Sequence, residues 1–285
     1  MDNTNIYKNS IIIIGPSGVG KSLVSRRLGE VNRLPVINAD LLRHCLKDPG
    51  ELILKKAQVS SKIRELQNEL EDNPSCNVYR TKHEIIRLTN EAWTLDRQRE
   101  MRMLMPLVKN YEEMGFDAEV SKTIKEKYGD IAWHFYQKQF EIKLLEDIIK
   151  NLNQPCVIDM GGGMVVSLDE EYKKLDQKFR EINQDLYLKH FDLDSIGFDK
   201  IQNVLKPFKN IIELELPTDY KKYDTRASRD PLNDTYISTN QYHTLASKSV
   251  SVGGLIVEDR LNDRALESVV RVINKHVQSE DLEMN

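Results

Sequence analysis

The chain has 285 residues, 40% hydrophobic and 30% charged, a balance that supports a full buried core and excludes a disordered or low-complexity polymer. Its net charge of -4 offers no broad attraction to nucleic acid, and no apolar run reaches the roughly 18 residues of a membrane span. Cys45, Cys76 and Cys156 lack paired spacing, so reduced buried thiols are expected rather than a disulfide framework or a zinc site. The opening MDNTNIYKNS lacks the basic and apolar segments of a secretory signal, which makes the cytoplasm the expected location.

Strand signals fall at 11–14, 35–38, 156–159 and 211–216, with a weaker fifth within 249–258. Helical patterns separate them at 22–31, from about 41 to 152, at 168–192 and at 262–277, and the acidic end from 277 onward is expected to fray. Strands alternating with helices predict an α/β fold: three layers around a central parallel five-stranded sheet, with the first strand central because it is apolar on both faces. The long helical stretch is interrupted by Asn73-Pro74-Ser75 and closed by Glu113-Met114-Gly115-Phe116. It predicts a helical hairpin, residues 44–116, inserted into a core made of 1–43 and 117–280. Its mixed charges fit a solvated face, or a surface for a protein partner or self-association.

The most specific motif is Gly15-Pro16-Ser17-Gly18-Val19-Gly20-Lys21-Ser22, directly after Ile11-Ile12-Ile13-Ile14. This is the G-x-x-x-x-G-K-[ST] pattern of the P-loop, or Walker A segment, of P-loop NTPase folds. Glycines let backbone N–H groups wrap a phosphate, and the following helix points its positive end at the anion. ATP with Mg²⁺ is the expected ligand, held by Gly15, Ser17, Gly18, Val19, Gly20, Lys21, Ser22 and Leu23. Lys21 bridges the phosphates, and the Ser22 hydroxyl faces the metal.

Beyond this loop, four pieces resemble the shikimate kinase family of small-molecule kinases. They are Asn38-Ala39-Asp40 at the end of the second strand, Gly129-Asp130 through Trp133-His134, Cys156-Val157-Ile158-Asp159-Met160-Gly161-Gly162-Gly163, and the strand at 211–216 followed by Arg226-Ala227-Ser228-Arg229-Asp230-Pro231-Leu232. The resemblance implies an ATP-dependent phosphotransferase acting on a hydroxyl of a small-molecule metabolite. Asp40 would accept the proton, and His134 with Gly161, Gly162 and Gly163 would line the acceptor. Arg229, or Arg226 in a shifted lid, would close over the transferring phosphate. His134 and Ser238 stand where the family places arginines that clamp a carboxylate, which points to a less negative acceptor than shikimate.

Several of these residues carry a second reading. Asp159 fits a metal-facing carboxylate that compensates for Asn38, and equally a cap on the glycine turn. Asp40 also fits an N-cap for a helix beginning at Leu41. His134, between Trp133 and Phe135, also fits a packed core histidine, and Lys221 and its neighbours in YKKYD (220–224) fit either a ligand contact or a solvated turn. A nucleotide-binding regulatory or scaffold protein descended from such a kinase is the alternative function.

Overall fold

The computed structural model describes residues 3–46, 48–72, 78–182, 189–218, 221, 232–252, 256–257, 260–261 and 263–282. Among these the chain order is α1 (Asn3–Asn9), β1 (Ile11–Ile14), α2 (Lys21–Asn32), β2 (Val36–Asn38), α3 (Ala39–Leu42), α4 (Pro49–Asp72), α5 (Val78–Leu104), α6 (Ala118–Lys150), β3 (Val157–Asp159) and α7 (Asp169–Glu181). There follow α8 (Phe198–Leu205), β4 (Asn210–Glu215), α9 (Asn233–Ser238), α10 (Gln241–Leu245), β5 (Lys248–Ser251), β6 (Ile256–Val257), β7 (Arg260–Leu261) and α11 (Asp263–Leu282).

Five parallel strands form one sheet in the order β2-β3-β1-β4-β5, so the isoleucine strand is central as its composition requires. Ile11 and Ile13 face a core shared with Val24 and Leu28 of α2 and with Leu266, Val269, Val270 and Ile273 of α11. Ile12 and Ile14 point to the opposite face and are equally buried, so both faces of the sheet are covered, as in a three-layered α/β arrangement. Each such side chain contributes about 1.5–3 kcal/mol on burial, which makes this strand the anchor of everything at its carboxyl end. Gly29 brings α2 close to β2: a Cβ there would meet Val36 Cγ2 at 2.4 Å.

The expected fifth strand is β5, at the start of the 249–258 stretch, while Ile256–Val257 pairs antiparallel with Arg260–Leu261 in a separate ribbon. Two expectations change. Helix α7 stops at Glu181, where the Ile182 N–H turns back to the Lys178 and Arg180 carbonyls, rather than running to 192. The last helix continues through Leu282, because good helix formers extend the turn beyond the buried Ile273. Helix α6 starts on Asp117, whose carboxylate accepts from the N–H groups of Glu119 and Val120, and it kinks at Gly129 (φ 84°).

The chain divides into two compact units, one formed by Met1–Asp40 with Tyr111–Asn285 and the other by Leu41–Asn110. In the second unit α4 and α5 pack against each other as a helical hairpin, with Lys56 paired to Asp96 across it at 2.6 Å. Its base is tied by Arg102, almost fully buried, whose guanidinium donates to the carbonyls of Cys45, Leu46 and Val108. Asn110 donates a second hydrogen bond to the Cys45 carbonyl. Replacing Arg102 with Met leaves these acceptors without their charged donor, and the expected cost is about 3 kcal/mol in denaturant unfolding. A loss below about 0.5 kcal/mol would show that the knot contributes nothing net.

Cys45 and Cys156 are buried free thiols, and burial pushes Cys156 up to about 12, so both are structural. Cys76 lies outside the described residues. Among the described residues no helix is long and apolar enough to cross a membrane.

Candidate functional site

The glycine loop emerges from the carboxyl end of β1 and closes on α2. Gly15 has no alternative residue: its φ is 139°, and a Cβ would lie 2.5 Å from the Leu214 carbonyl oxygen of β4. The turn ends on Gly20 in the left-handed region, which caps α2 and places Lys21 as its first residue. The backbone N–H groups of Gly18, Val19 and Gly20 make no hydrogen bond among the described residues, and the carbonyl of Gly20 takes the first helical bonds from Leu23 and Val24. A row of unspent donors at the start of a twelve-residue helix is an anion cradle.

Lys21 is buried and folds back across this loop, its Nζ donating to the carbonyls of Gly15 (2.9 Å) and Pro16 (2.8 Å). Ser17 is used differently from expectation. Both of its backbone groups are committed to one side chain, its N–H to Asn233 Oδ1 (2.9 Å) and its carbonyl to Asn233 Nδ2 (3.0 Å). The fully buried Asn233 at the start of α9 therefore fixes the loop's shape.

Strand register brings three more polar residues together. Asn38 lies opposite Asp159 in the β2/β3 pair, and its Nδ2 donates to Asp159 Oδ2 at 2.6 Å and to Ser22 Oγ at 3.4 Å. Asp159 is 3% exposed, and burial raises its carboxyl to about 6. The charge of Lys21 and the hydrogen bonds from Ser22 and Asn38 pull it down, while the charge of Asp40 pushes it further up. Ser22 and Asp159 thus present hard oxygen atoms beside the anion cradle, a pair that suits Mg²⁺, with the Asn38 amide nitrogen donating to both. Asp40 is exposed and sits within the first turn of α3 rather than at its N-cap, since that helix already begins at Ala39.

A carboxyl raised on folding stabilises the fold below the ordinary carboxylate range, and that contribution is lost as pH climbs through about 6. Without divalent cation, Asp159→Asn is therefore expected to gain up to about 3 kcal/mol over the parent at pH 7.5 compared with their difference at about pH 4. Denaturant midpoints at the two pH values measure this. An equal difference at both would mean that the carboxylate carries no burial penalty.

The triple glycine after β3 packs directly on the loop. A Cβ on Gly162 would meet the Ser17 nitrogen at 2.9 Å, and one on Gly163 would meet the Tyr236 hydroxyl at 2.8 Å. Its carbonyls are held by two residues that sequence reasoning missed: Tyr242, whose hydroxyl donates to Gly162, and Lys138, whose Nζ donates to Gly163 and Met164. Lys138 is fully buried and paired with Glu141 one helical turn on. That i, i+3 pair amid Phe135, Phe140 and Ile142 is the signal that was there to be found: a charge pair on an otherwise apolar helix face. Asn233 left only a weaker trace, as a polar residue directly after Pro231-Leu232.

His134 is buried among aromatic rings, its Nδ1 hydrogen-bonded to the Tyr172 hydroxyl and its ring 5.3 Å from that of Tyr236. That is the packed-histidine arrangement, and it keeps the imidazole off any open surface. Ser238 ends α9, with its hydroxyl bonded to the Thr235 carbonyl. Arg226, Arg229 and most of the 220–224 turn lie outside the described residues; Lys221 pairs with Asp234. Leu23 is half-buried against the core cluster of α2 and α11.

No protein-family model matches this chain, and no curated protein matches it. The site therefore rests on its own geometry.

Proposed function

We propose that the chain is an ATP-dependent kinase of small-molecule hydroxyl groups, built on a P-loop fold similar to that of shikimate kinases. The observation that carries this reading is the meeting of Ser22, Asn38 and Asp159 beside an N–H-lined loop closed by Lys21. An anion cradle alone fits any phosphate ligand. A hard-oxygen cluster next to it fits the metal complex of a triphosphate.

In this reading the N–H groups of Gly18, Val19 and Gly20 and the ammonium of Lys21 hold the phosphate chain. Ser22 and Asp159 hold Mg²⁺, which when bound neutralises charge on the phosphate oxygens, and Asn38 orients the Asp159 carboxylate toward it. Asp40 orients the acceptor and takes the hydroxyl proton as the oxygen bonds to the γ-phosphorus and ADP departs. Arg229 is proposed to close over the transferring phosphate. The glycine turn at 161–163 forms the acceptor's floor. His134 packs against Tyr236, which lies against Gly163, so the acceptor meets no arginine clamp at His134, in keeping with a neutral or weakly charged polyol, sugar or related metabolite.

The second reading, a nucleotide-binding scaffold, draws support from the large apolar side chains that the helical hairpin exposes, among them Leu54, Ile86 and Trp93. ADP release measured across a panel of polyols, sugars and hydroxy acids separates the two. A kinase gives release that depends on one acceptor class, whereas a scaffold gives nucleotide binding with no acceptor dependence.

A further inference from the structure

We infer that the carboxyl end of β4 carries a second cation site, built from residues outside the glycine loop, that takes a transition-metal dication such as Zn²⁺. Three potential ligands from two elements meet there: Glu213 and Glu215, on the same face of β4, and His243 of α10, with ligand atoms all within 4.8 Å of one another. One imidazole and two carboxylates make a donor set suited to zinc or manganese and poorly matched to Mg²⁺, which favours oxygen and water alone.

The cluster opens onto a cavity of about 550 Å³, also lined by Pro16, Ile237 and Tyr242, which leaves room for water or a small ligand in the remaining coordination positions. Among the described residues its charge is poorly balanced. Glu213 is 8% exposed, and both of its contacts, from Ser249 Oγ (2.6 Å) and His243 Nδ1 (3.5 Å), fall on Oε2. Its Oε1 and the whole Glu215 carboxylate make no hydrogen bond or ion pair among the described residues. A single histidine supplies at most one positive charge against two carboxylates, and a buried carboxylate demands compensation. A dication supplies it in full. Ligand atoms around zinc sit about 3.4 Å apart, so the cluster has to contract by roughly 1 Å. The exposed His243 side chain, whose Nδ1 is hydrogen-bonded to Ser249 Oγ at 3.2 Å, is the element that makes that move, and the same Ser249 hydroxyl already holds the Glu213 carboxylate in place.

No cysteine takes part, which is why cysteine spacing carried no sign of the site. The inference does not rest on the kinase reading, because none of its three ligands is among the residues assigned to the nucleotide or to Mg²⁺, although the cavity reaches the glycine loop at Pro16.

The test is a Zn²⁺ titration of the full chain, stripped with a chelator and read against a competing chromophoric chelator. One tight site is expected, weakened about a hundredfold in His243→Ala and in Glu213→Gln and unchanged in His276→Ala, which alters another exposed histidine. Because His243 is exposed, its variant stays folded and the comparison holds even if Glu213→Gln does not fold. A tight site that survives His243→Ala, or no Zn²⁺ binding below millimolar concentration, would overturn the assignment and leave His243 and Glu213 as a simple ion pair.

Discussion

Lys21→Ala is expected to lower acceptor-dependent ADP release about a thousandfold while the protein remains folded. The side chain is buried, yet both of its described hydrogen bonds go to carbonyls of the loop it belongs to, and the strand beneath that loop is held by isoleucine packing on both faces. Removing the ammonium thus leaves the sheet intact and strips the loop of its one full positive charge. It also removes the cation that draws the Asp159 carboxyl downward, so that carboxyl moves further up in the variant. Circular dichroism and denaturant unfolding establish that the variant is folded. Near-parental turnover in folded material would take the loop out of the chemistry.

Asp40→Asn is expected to reduce kcat about a hundredfold or more while changing ATP affinity little. Asp40 is exposed, lies past the end of β2 and is close enough for its charge to act on Asp159, which puts it where the proposed acceptor hydroxyl would approach. The amide keeps the size and the hydrogen-bonding shape but cannot take a proton. The same substitution removes a like charge that pushes the Asp159 carboxyl upward, so Mg²⁺ affinity is expected to hold or improve slightly. Kinetics at saturating nucleotide, paired with a nucleotide-binding isotherm, separate the two effects. Equal losses in turnover and affinity would assign Asp40 a structural role.

The parallel sheet and the central place of β1 were legible, because a run of four β-branched residues has few other homes than the middle of such a sheet, whereas the strand order is a tertiary fact. The glycine loop was legible because its spacing encodes a backbone shape, and Gly15 shows why: steric exclusion by the Leu214 carbonyl allows no side chain at all. The partnership of Asn38 with Asp159 was only half visible. Each residue could be named from its place at a strand end, but the register that pairs them across 121 positions is a tertiary fact.

Lys138 and Asn233 were missed for a related reason. A lysine in a helical run and an asparagine in a loop are ordinarily solvated; the Lys138–Glu141 pair among apolar neighbours signals burial, but nothing local shows that Lys138 holds the Gly163 backbone or that Asn233 holds that of Ser17. His134 shows the reverse. Its position in the resembling segment pointed to the acceptor, while its neighbours Trp133 and Phe135 pointed to a packed core histidine, and the packing against Tyr172 and Tyr236 matches the second.

A calorimetric titration of the folded chain with ATP, in the presence and absence of Mg²⁺, tests the proposed nucleotide site most directly. One binding event is expected, strengthened by Mg²⁺ and weakened in both Lys21→Ala and Asp159→Asn. Well-folded protein that yields no heat with either ATP or GTP at millimolar concentration would contradict the account at its root.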